Sequence, residues 1–188
     1  LGCCEHKLNS LWEIVEKDTE KQFKVFNSFA QQTNNFCWTL DKPESTMSLG
    51  STLTKKFPDL SILLLNGPLG AGKTTLVKGI ARSLGIEEPI TSPTFALSQH
   101  YPSGSPPLIH IDLYRIEESN AANEFFLQEE EESISIGALM IIEWPERLTL
   151  QISDAWTGKL DYSCKNEQRH FQLIPPLDKD NIFSTSVV

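Results

Sequence analysis

Residues 67–74, with the sequence GPLGAGKT, match the pattern G-x-x-x-x-G-K-[S/T] without exception. Glycines permit backbone angles that other residues avoid, so that successive N–H groups can converge on phosphate oxygens. In such a loop the amine of Lys73 can reach the terminal phosphates, and the hydroxyl of Thr74 can ligate Mg²⁺. A glycine-rich turn that only joined two elements would need neither residue, so the pattern predicts a nucleoside triphosphate site.

The segments on either side of this loop are those that a phosphate-binding loop requires. Residues 60–66 form an almost continuous apolar run of strand length, which is typical of a strand buried on both faces. After the loop, Leu76, Ile80 and Leu84 recur at helical spacing, and Gly85 is suited to end that helix. The order strand, loop, helix places the partial positive charge of a helix N-terminus beside the phosphates.

Two carboxylates follow other predicted strands. Asp112 ends the run 108–112, and Glu143 directly follows the apolar run 138–142. Ligands of open α/β sheets gather at the carboxyl ends of the strands, so both side chains could face the loop and serve Mg²⁺ or water. Both could instead cap the next helix. His110 shares a side of its strand with Asp112. It could therefore either pack in the core or orient Asp112.

The sequence TSPTF at residues 91–95 places hydroxyl groups and a stiffening proline after the predicted phosphate-loop helix. In other P-loop proteins, a threonine in such a loop senses the γ-phosphate and orders the segment before hydrolysis. An ordinary Ser-Pro turn is the alternative, because the motif is weak when it is taken alone.

Composition narrows the classes of partner and compartment. The 188 residues carry a formal net charge of −9 with a pI of about 4.9, which disfavours direct binding to a nucleic-acid backbone. The four cysteines form no C-x-x-C pair, which favours a reducing compartment. No stretch approaches the roughly 20 apolar residues of a transmembrane helix. A cytoplasmic protein without a membrane partner is therefore predicted.

The sequence predicts a single α/β domain of the P-loop NTPase type, with a mixed β-sheet flanked by helices. This domain is expected over residues 36–174, after an N-terminal helical extension over 1–35 and before a flexible tail over 175–188. Within the domain, helices are predicted from Pro43 to Phe57 and over 121–132, the latter ending in four glutamates that suit a solvated face.

Four segments, taken in order and spacing, resemble the TsaE family. They are LGAGKTT at 69–75, TSPTF at 91–95, HIDLYR at 110–115 and IEWP at 142–145. The resemblance covers about residues 36–174. It implies a weak, Mg²⁺-dependent ATPase required for threonylcarbamoyladenosine formation in tRNA, acting on the TsaB and TsaD proteins, with tRNA served only indirectly.

The resemblance also implies roles for individual residues. Thr74 and Glu143 would serve Mg²⁺, Asp112 would support metal or water during hydrolysis, and Thr94 would be the loop sensor. Trp144 would lie beside the nucleotide, and Thr46 would approach the base or ribose. ATP phosphates would be bound by Lys73 and by the backbone of Gly70, Ala71, Gly72, Thr74 and Thr75. Pro68 departs from the family, which often has an acidic residue there.

Two other classes of P-loop protein fit the same loop. A small-molecule or nucleoside kinase would usually carry an arginine-rich lid, whereas Arg115 and Arg147 are isolated in this sequence. A guanine-nucleotide switch usually needs an N-K-x-D-like segment, and none occurs. The kinase is therefore the alternative to the ATPase, and ATP is the expected nucleotide.

Overall fold

The computed structural model describes residues 36–163 and 168–176. The predicted N-terminal helical extension, residues 1–35, lies outside the described residues, as does the predicted tail from residue 177 onward. Within the described residues, the secondary-structure elements begin at Phe36 and end at Ile174.

A seven-stranded mixed β-sheet forms the centre of the molecule, with the strand order β1-β7-β6-β2-β5-β4-β3. The four inner strands β6, β2, β5 and β4 run parallel, whereas β7, β1 and β3 pair antiparallel with their neighbours. The predicted α/β, P-loop NTPase-like architecture with a mixed sheet is confirmed. The strands are β1 (Phe36–Leu40), β2 (Ile62–Asn66), β3 (Ser98–Tyr101), β4 (Leu108–Asp112), β5 (Leu139–Glu143), β6 (Trp156–Tyr162) and β7 (Arg169–Ile174).

Helices cover both faces of this sheet. The apolar residues of α1 and α2 share one core cluster with alternate residues of the inner strands, such as Leu63 and Ile141. Phe126 of α3 packs in a second cluster with the intervening residues, such as Ile109 and Met140. Strands that are buried on both faces need apolar residues at every position, which explains the continuous runs in the sequence. The helices are α1 (Pro43–Lys56), α2 (Lys73–Ser83) and α3 (Ser119–Ile136), with a 3₁₀ turn at Pro145–Arg147.

The helices α1 and α2 cross with their backbones in contact. A Cβ atom on Gly79 of α2 would lie 2.0 Å from the carbonyl oxygen of Met47, and one on Gly50 of α1 would lie 2.4 Å from that of Leu76. The hydroxyl of Ser51 donates a hydrogen bond of 2.8 Å to the Gly79 carbonyl. Only glycines allow this approach, which fixes α1 against the helix that follows the phosphate loop.

The structure differs from the sequence prediction around α3 and β3. The helix α3 extends from Ser119 to Ile136, beyond the predicted 121–132 on both sides. Glu129, predicted on a solvated acidic face, accepts a hydrogen bond of 2.8 Å from Ser98 of β3 and lies 2.6 Å from the His100 ring. The edge strand β3 was not predicted, because its polar sequence SQHY lacks an apolar alternation. Among the described residues, no helix has both the length and the apolar character needed to cross a bilayer.

Candidate active site

The candidate site lies at the carboxyl edge of the parallel strands. The loop 67–72 follows β2, while Asp112 ends β4 and Glu143 ends β5. Asp112 and Glu143 are register partners, so both carboxylates project from the same face of the sheet, the face that α1 and α2 cover. The predicted convergence of the loop with both strand ends is therefore present in the structure.

The loop adopts the backbone that its glycines were expected to permit. Gly70 has φ 76° and Gly72 has φ 105°, both in the left-handed region that side chains other than glycine rarely adopt. Gly72 is also the N-cap residue of α2, and its carbonyl accepts the hydrogen bond of the Leu76 N–H at 2.9 Å. The hydroxyl of Tyr162, at the end of β6, donates a hydrogen bond of 2.7 Å to the Leu69 carbonyl, which fastens the outer side of the loop.

Lys73 is folded back onto the loop from the first turn of α2, and it is only 4% exposed. Its ammonium nitrogen Nζ donates hydrogen bonds to the carbonyls of Gly67 at 2.6 Å and Pro68 at 3.1 Å. The same atom lies 4.0 Å from the centre of the Trp144 ring, within the range of a cation–π interaction. The amine thus lies between the phosphate loop and the residue that follows β5.

Burial and charge act in opposite directions on this amine. Burial lowers the pKa of Lys73 below its usual range, because desolvation disfavours the charged form. Carboxylates of Glu143, Glu146 and Asp112 oppose this change and raise the pKa. The site therefore concentrates three acidic groups around one ammonium group, an arrangement suited to a metal ion and an anion bound together.

Glu143 is buried and receives hydrogen bonds on a single oxygen atom. The Thr74 hydroxyl donates to Glu143 Oε1 at 2.9 Å, and His110 Nε2 lies 2.9 Å from the same atom. The alternative of a helix cap is not observed for Glu143, since the following 3₁₀ turn has no side-chain cap. His110, for which packing and orientation of Asp112 were both considered, contacts Glu143 instead.

Asp112 divides its two oxygen atoms between two tasks. Oδ1 accepts the N–H of Tyr114 at 3.0 Å, a hydrogen bond within the turn that follows β4. Oδ2 accepts hydrogen bonds from the hydroxyls of Thr94 at 2.6 Å and Ser92 at 2.5 Å. The carboxylate therefore holds the 91–95 loop against the strand edge. It does not cap the next helix, since α3 has Glu118 as its N-cap residue and no side-chain cap. Service to Mg²⁺ or water stays a prediction for Asp112.

Trp144 lies half-buried at the mouth of the site. Its backbone is left-handed, with φ 60°, a conformation that is unusual for a bulky residue. Its N–H donates a hydrogen bond of 3.3 Å to the Leu65 carbonyl of β2, and its ring lies 4.8 Å from that of Tyr114. In this strained turn, the face of the Trp144 ring lies against the Lys73 amine.

The remaining predicted site residues lie along the loop and behind it. Ala71 is fully buried, and Thr75 lies in the first turn of α2. Thr46 of α1 is 1% exposed, and its Cγ2 would lie 3.8 Å from a Cβ on Gly72. The structure thus brings Thr46 to the loop from the neighbouring helix. The roles assigned to all these residues by resemblance remain predictions.

Three contacts were not predicted from the sequence. Ser92 shares Asp112 with Thr94, His110 binds Glu143, and Tyr162 holds the phosphate loop. The spacing S-P-T gave a signal for Ser92, since it placed two hydroxyls in one loop. No local pattern could have found Tyr162, because it lies 93 residues away from Leu69 in the chain.

The oxygen atoms of the site fit Mg²⁺ better than a transition metal. Thr74 and Glu143 offer a hydroxyl and a carboxylate, the hard ligands that Mg²⁺ prefers. Within residues 36–163 and 168–176, no group of three or more His, Cys, Asp or Glu residues could hold a metal ion. Such a site suits a metal that completes its shell with phosphate oxygens and water.

A family model described as threonylcarbamoyl adenosine biosynthesis protein TsaE matches residues 40–171. The chain belongs to the TsaE family. Two relatives named tRNA threonylcarbamoyladenosine biosynthesis protein TsaE support this assignment. The protein from Nostoc sp. is 46% identical over 127 residues, covering 67% of this chain and 78% of the relative. The protein from Mycobacterium bovis is 41% identical over 123 residues, covering 61% and 71%.

A solved structure agrees with the fold. The crystal structure titled Bacillus subtilus YdiB superposes with a TM-score of 0.61 and 25% identity, covering 80% of this chain and 91% of that chain. The TsaE match begins at Leu40 and ends at Phe171, so it includes the phosphate loop, both carboxylates and Trp144. Membership in the TsaE family connects the chain with threonylcarbamoyladenosine biosynthesis.

Proposed function

We propose that this chain is a Mg²⁺-dependent ATPase that supports TsaB and TsaD homologues in the threonylcarbamoyladenosine modification of tRNA. The observation that carries the proposal is the contact between the Thr74 hydroxyl and Glu143, made by the residue that follows the buried Lys73. A hydroxyl, a carboxylate and an amine at the end of a phosphate loop are the groups that bind a nucleoside triphosphate with its metal.

The phosphates of ATP would be held by the loop and by Lys73. Backbone N–H groups from Gly70 to Thr75 would bind phosphate oxygens at the N-terminus of α2, where the helix dipole favours negative charge. The Lys73 amine would exchange the carbonyls of Gly67 and Pro68 for the terminal phosphates. Thr46 and Trp144 would border the rest of the nucleotide.

Thr74 and Glu143 would hold Mg²⁺, the role that their oxygens and their proximity support. The chemistry supplied by the bound metal is neutralisation of the charge on the phosphate oxygens. Asp112 would orient the attacking water or support the metal, and Thr94 would sense whether the γ-phosphate is present. Because Thr94 is hydrogen-bonded to Asp112, a change at the phosphate would be transmitted to the 91–95 loop.

The expected use of hydrolysis is to reset a protein complex in the cytoplasm. The net charge of −9 favours a protein partner over direct contact with tRNA. The two arginines considered for a kinase lid are engaged locally. Arg115 lies 4.0 Å from the centre of the Phe95 ring, and Arg147 donates to the Tyr114 carbonyl at 3.1 Å. This arrangement favours the ATPase over the kinase.

The testing experiment is ATP turnover by the purified chain with Mg²⁺, with and without TsaB and TsaD from the same organism. We expect slow release of phosphate that the two partners stimulate, and loss of turnover in Lys73→Ala and Glu143→Ala. Removal of Mg²⁺ by EDTA should stop hydrolysis in every sample. Turnover that does not change when the partners are added would reject the proposal. Phosphate found on a small acceptor would reject it in favour of a kinase.

A further inference from the structure

We propose that His110 is a positioning residue that holds the Glu143 carboxylate in place for Mg²⁺ by donating a hydrogen bond from Nε2 to Oε1. The inference rests on the proposed Mg²⁺-dependent function and assigns a further residue to it. His110 would touch neither the metal nor the nucleotide, because Glu143 lies between them. It would act only through the carboxylate.

The first support is the burial of this pair. His110 is fully buried in the middle of β4, and Glu143 is 3% exposed at the end of β5. The Nε2 and Oε1 atoms are 2.9 Å apart. A buried carboxylate needs hydrogen-bond donors, because it has lost the water that would otherwise stabilise its charge. Besides His110, Thr74 is the other side chain seen to donate to Glu143 in the described part of the chain.

The second support is the protonation pattern that the geometry requires. An ionised carboxylate only accepts hydrogen bonds, so His110 Nε2 must carry the proton in this contact. Nδ1 is buried and has no hydrogen-bond partner in residues 36–163 and 168–176. An unpaired buried nitrogen is unfavourable, and an apolar side chain would avoid it. The contact with Glu143 therefore accounts for a polar ring at this buried position.

The third support is the position of the two donors. Thr74 lies on α2 and donates to the same oxygen as His110. Its hydroxyl is also the group proposed to face the metal, so its hydrogen bond to Glu143 is not available for positioning alone. His110 and Glu143 lie on adjacent, directly paired strands, since β4 and β5 are in parallel register. His110 is therefore the donor to Glu143 that the pairing of the two strands holds in place.

The test compares two variants that both remove the ring. His110→Gln keeps an N–H donor of similar reach, whereas His110→Met has a similar length and no donor. Both lose the same packing, so their thermal midpoints should fall by similar amounts. Binding of a fluorescent, non-hydrolysable ATP analogue is then measured over a range of MgCl₂ concentrations and in EDTA.

We expect all three proteins to bind the analogue with similar affinity in EDTA. His110→Met should need about tenfold more Mg²⁺ than the unaltered chain for the same gain in affinity, and His110→Gln should stay close to the unaltered chain. Equal behaviour of the two variants would overturn the inference, since it would reduce His110 to a packing residue. If the unaltered chain itself gains nothing from Mg²⁺, the proposed function fails, and the inference with it.

A second measurement needs no substitution at His110. In the ¹⁵N-histidine-labelled full chain, NMR identifies which ring nitrogen carries the proton. We expect a proton on Nε2 and a shift of that signal in the Glu143→Gln variant. A His110 ring with its proton only on Nδ1 would contradict the inference, because it could not donate to Glu143.

Discussion

Asp112 shows how one side chain can connect a strand edge with a loop. Its Oδ1 atom is committed to the backbone of Tyr114, so the carboxylate cannot turn freely. Its Oδ2 atom receives both hydroxyls of the S-P-T segment, and those hydroxyls lie 2.7 Å from each other. Any group that competes for Oδ2 must therefore displace Ser92 and Thr94 together.

This arrangement gives a prediction for Thr94. Thr94→Val keeps the shape of the side chain and removes the hydroxyl that binds Asp112. Hydrogen bonds to charged groups contribute about 1.5–3 kcal/mol, so turnover should fall about tenfold or more while ATP affinity changes less. Thr91→Val, at an exposed position of the same loop, is the matched control and should behave as the unaltered chain. Equal loss in both variants would indicate a general disturbance of the loop.

Trp144 should report nucleotide binding by its fluorescence. Its ring lies 4.0 Å from the Lys73 amine, and the amine is expected to turn toward the phosphates of ATP. The described tryptophans at 38 and 156 are buried in the core. Addition of ATP should therefore change the emission of the unaltered chain and leave that of Trp144→Phe almost constant. A full signal in Trp144→Phe would place the responding residue elsewhere.

The sequence predicted the convergence of the site but not the contacts within it. Lys73 and Thr74 follow from the loop motif, and Asp112 and Glu143 follow from the rule that parallel strands end at one edge. The partner of His110 could not be deduced, because it depends on the register between β4 and β5. Register between strands is set by packing across the sheet, and no local spacing records it.

At the level of elements, the crossing of α1 and α2 depends on Gly79. In an exposed helix, Gly→Ala stabilises by about 1 kcal/mol. At Gly79 the new Cβ would meet the Met47 carbonyl at 2.0 Å, so Gly79→Ala should instead destabilise the chain by about 1–3 kcal/mol or more. The free energy of unfolding from urea titration measures this change.

Gly137 provides the comparison for Gly79. It ends α3 with φ 65°, and a Cβ there would meet nothing within 4 Å. Gly137→Ala should therefore cost only the strain of a left-handed alanine, about 1 kcal/mol. A stabilising effect of Gly79→Ala would contradict the close contact between the two helices at Gly79 and Met47.

The elements themselves were predicted with unequal success. The buried strands β2 and β5 and the helix α2 have strong apolar patterns, and their positions agree with the sequence prediction. The edge strand β3 was missed because it has no apolar alternation, and its backbone pairs with β4. Glu129 was misjudged for a related reason. Its neighbour in space is β3, which the sequence did not indicate.

For the whole molecule, the charge predicts weak direct binding to tRNA. The chain has 25 acidic and 16 basic residues, and a polyanion is repelled by such a surface. At 150 mM salt, fluorescence anisotropy of labelled tRNA should not change at micromolar concentrations of the chain alone. The same titration with TsaB and TsaD present is the comparison. Tight, steeply salt-dependent binding by the chain alone would contradict the proposal of an indirect role.

The backbone contact between α1 and α2 also bears on how the proposed nucleotide would enter and leave. The helices α1 and α2 are fixed against each other, because Gly79 and Met47 touch and Ser51 bridges them. The 91–95 loop, in contrast, is held by hydroxyl contacts to the carboxylate of Asp112. For the proposed ATPase, we therefore expect the 91–95 loop to move more readily than the two helices, so that ADP would be exchanged for ATP on the loop side. A partner seated over that loop would control the exit of the product without touching the phosphates.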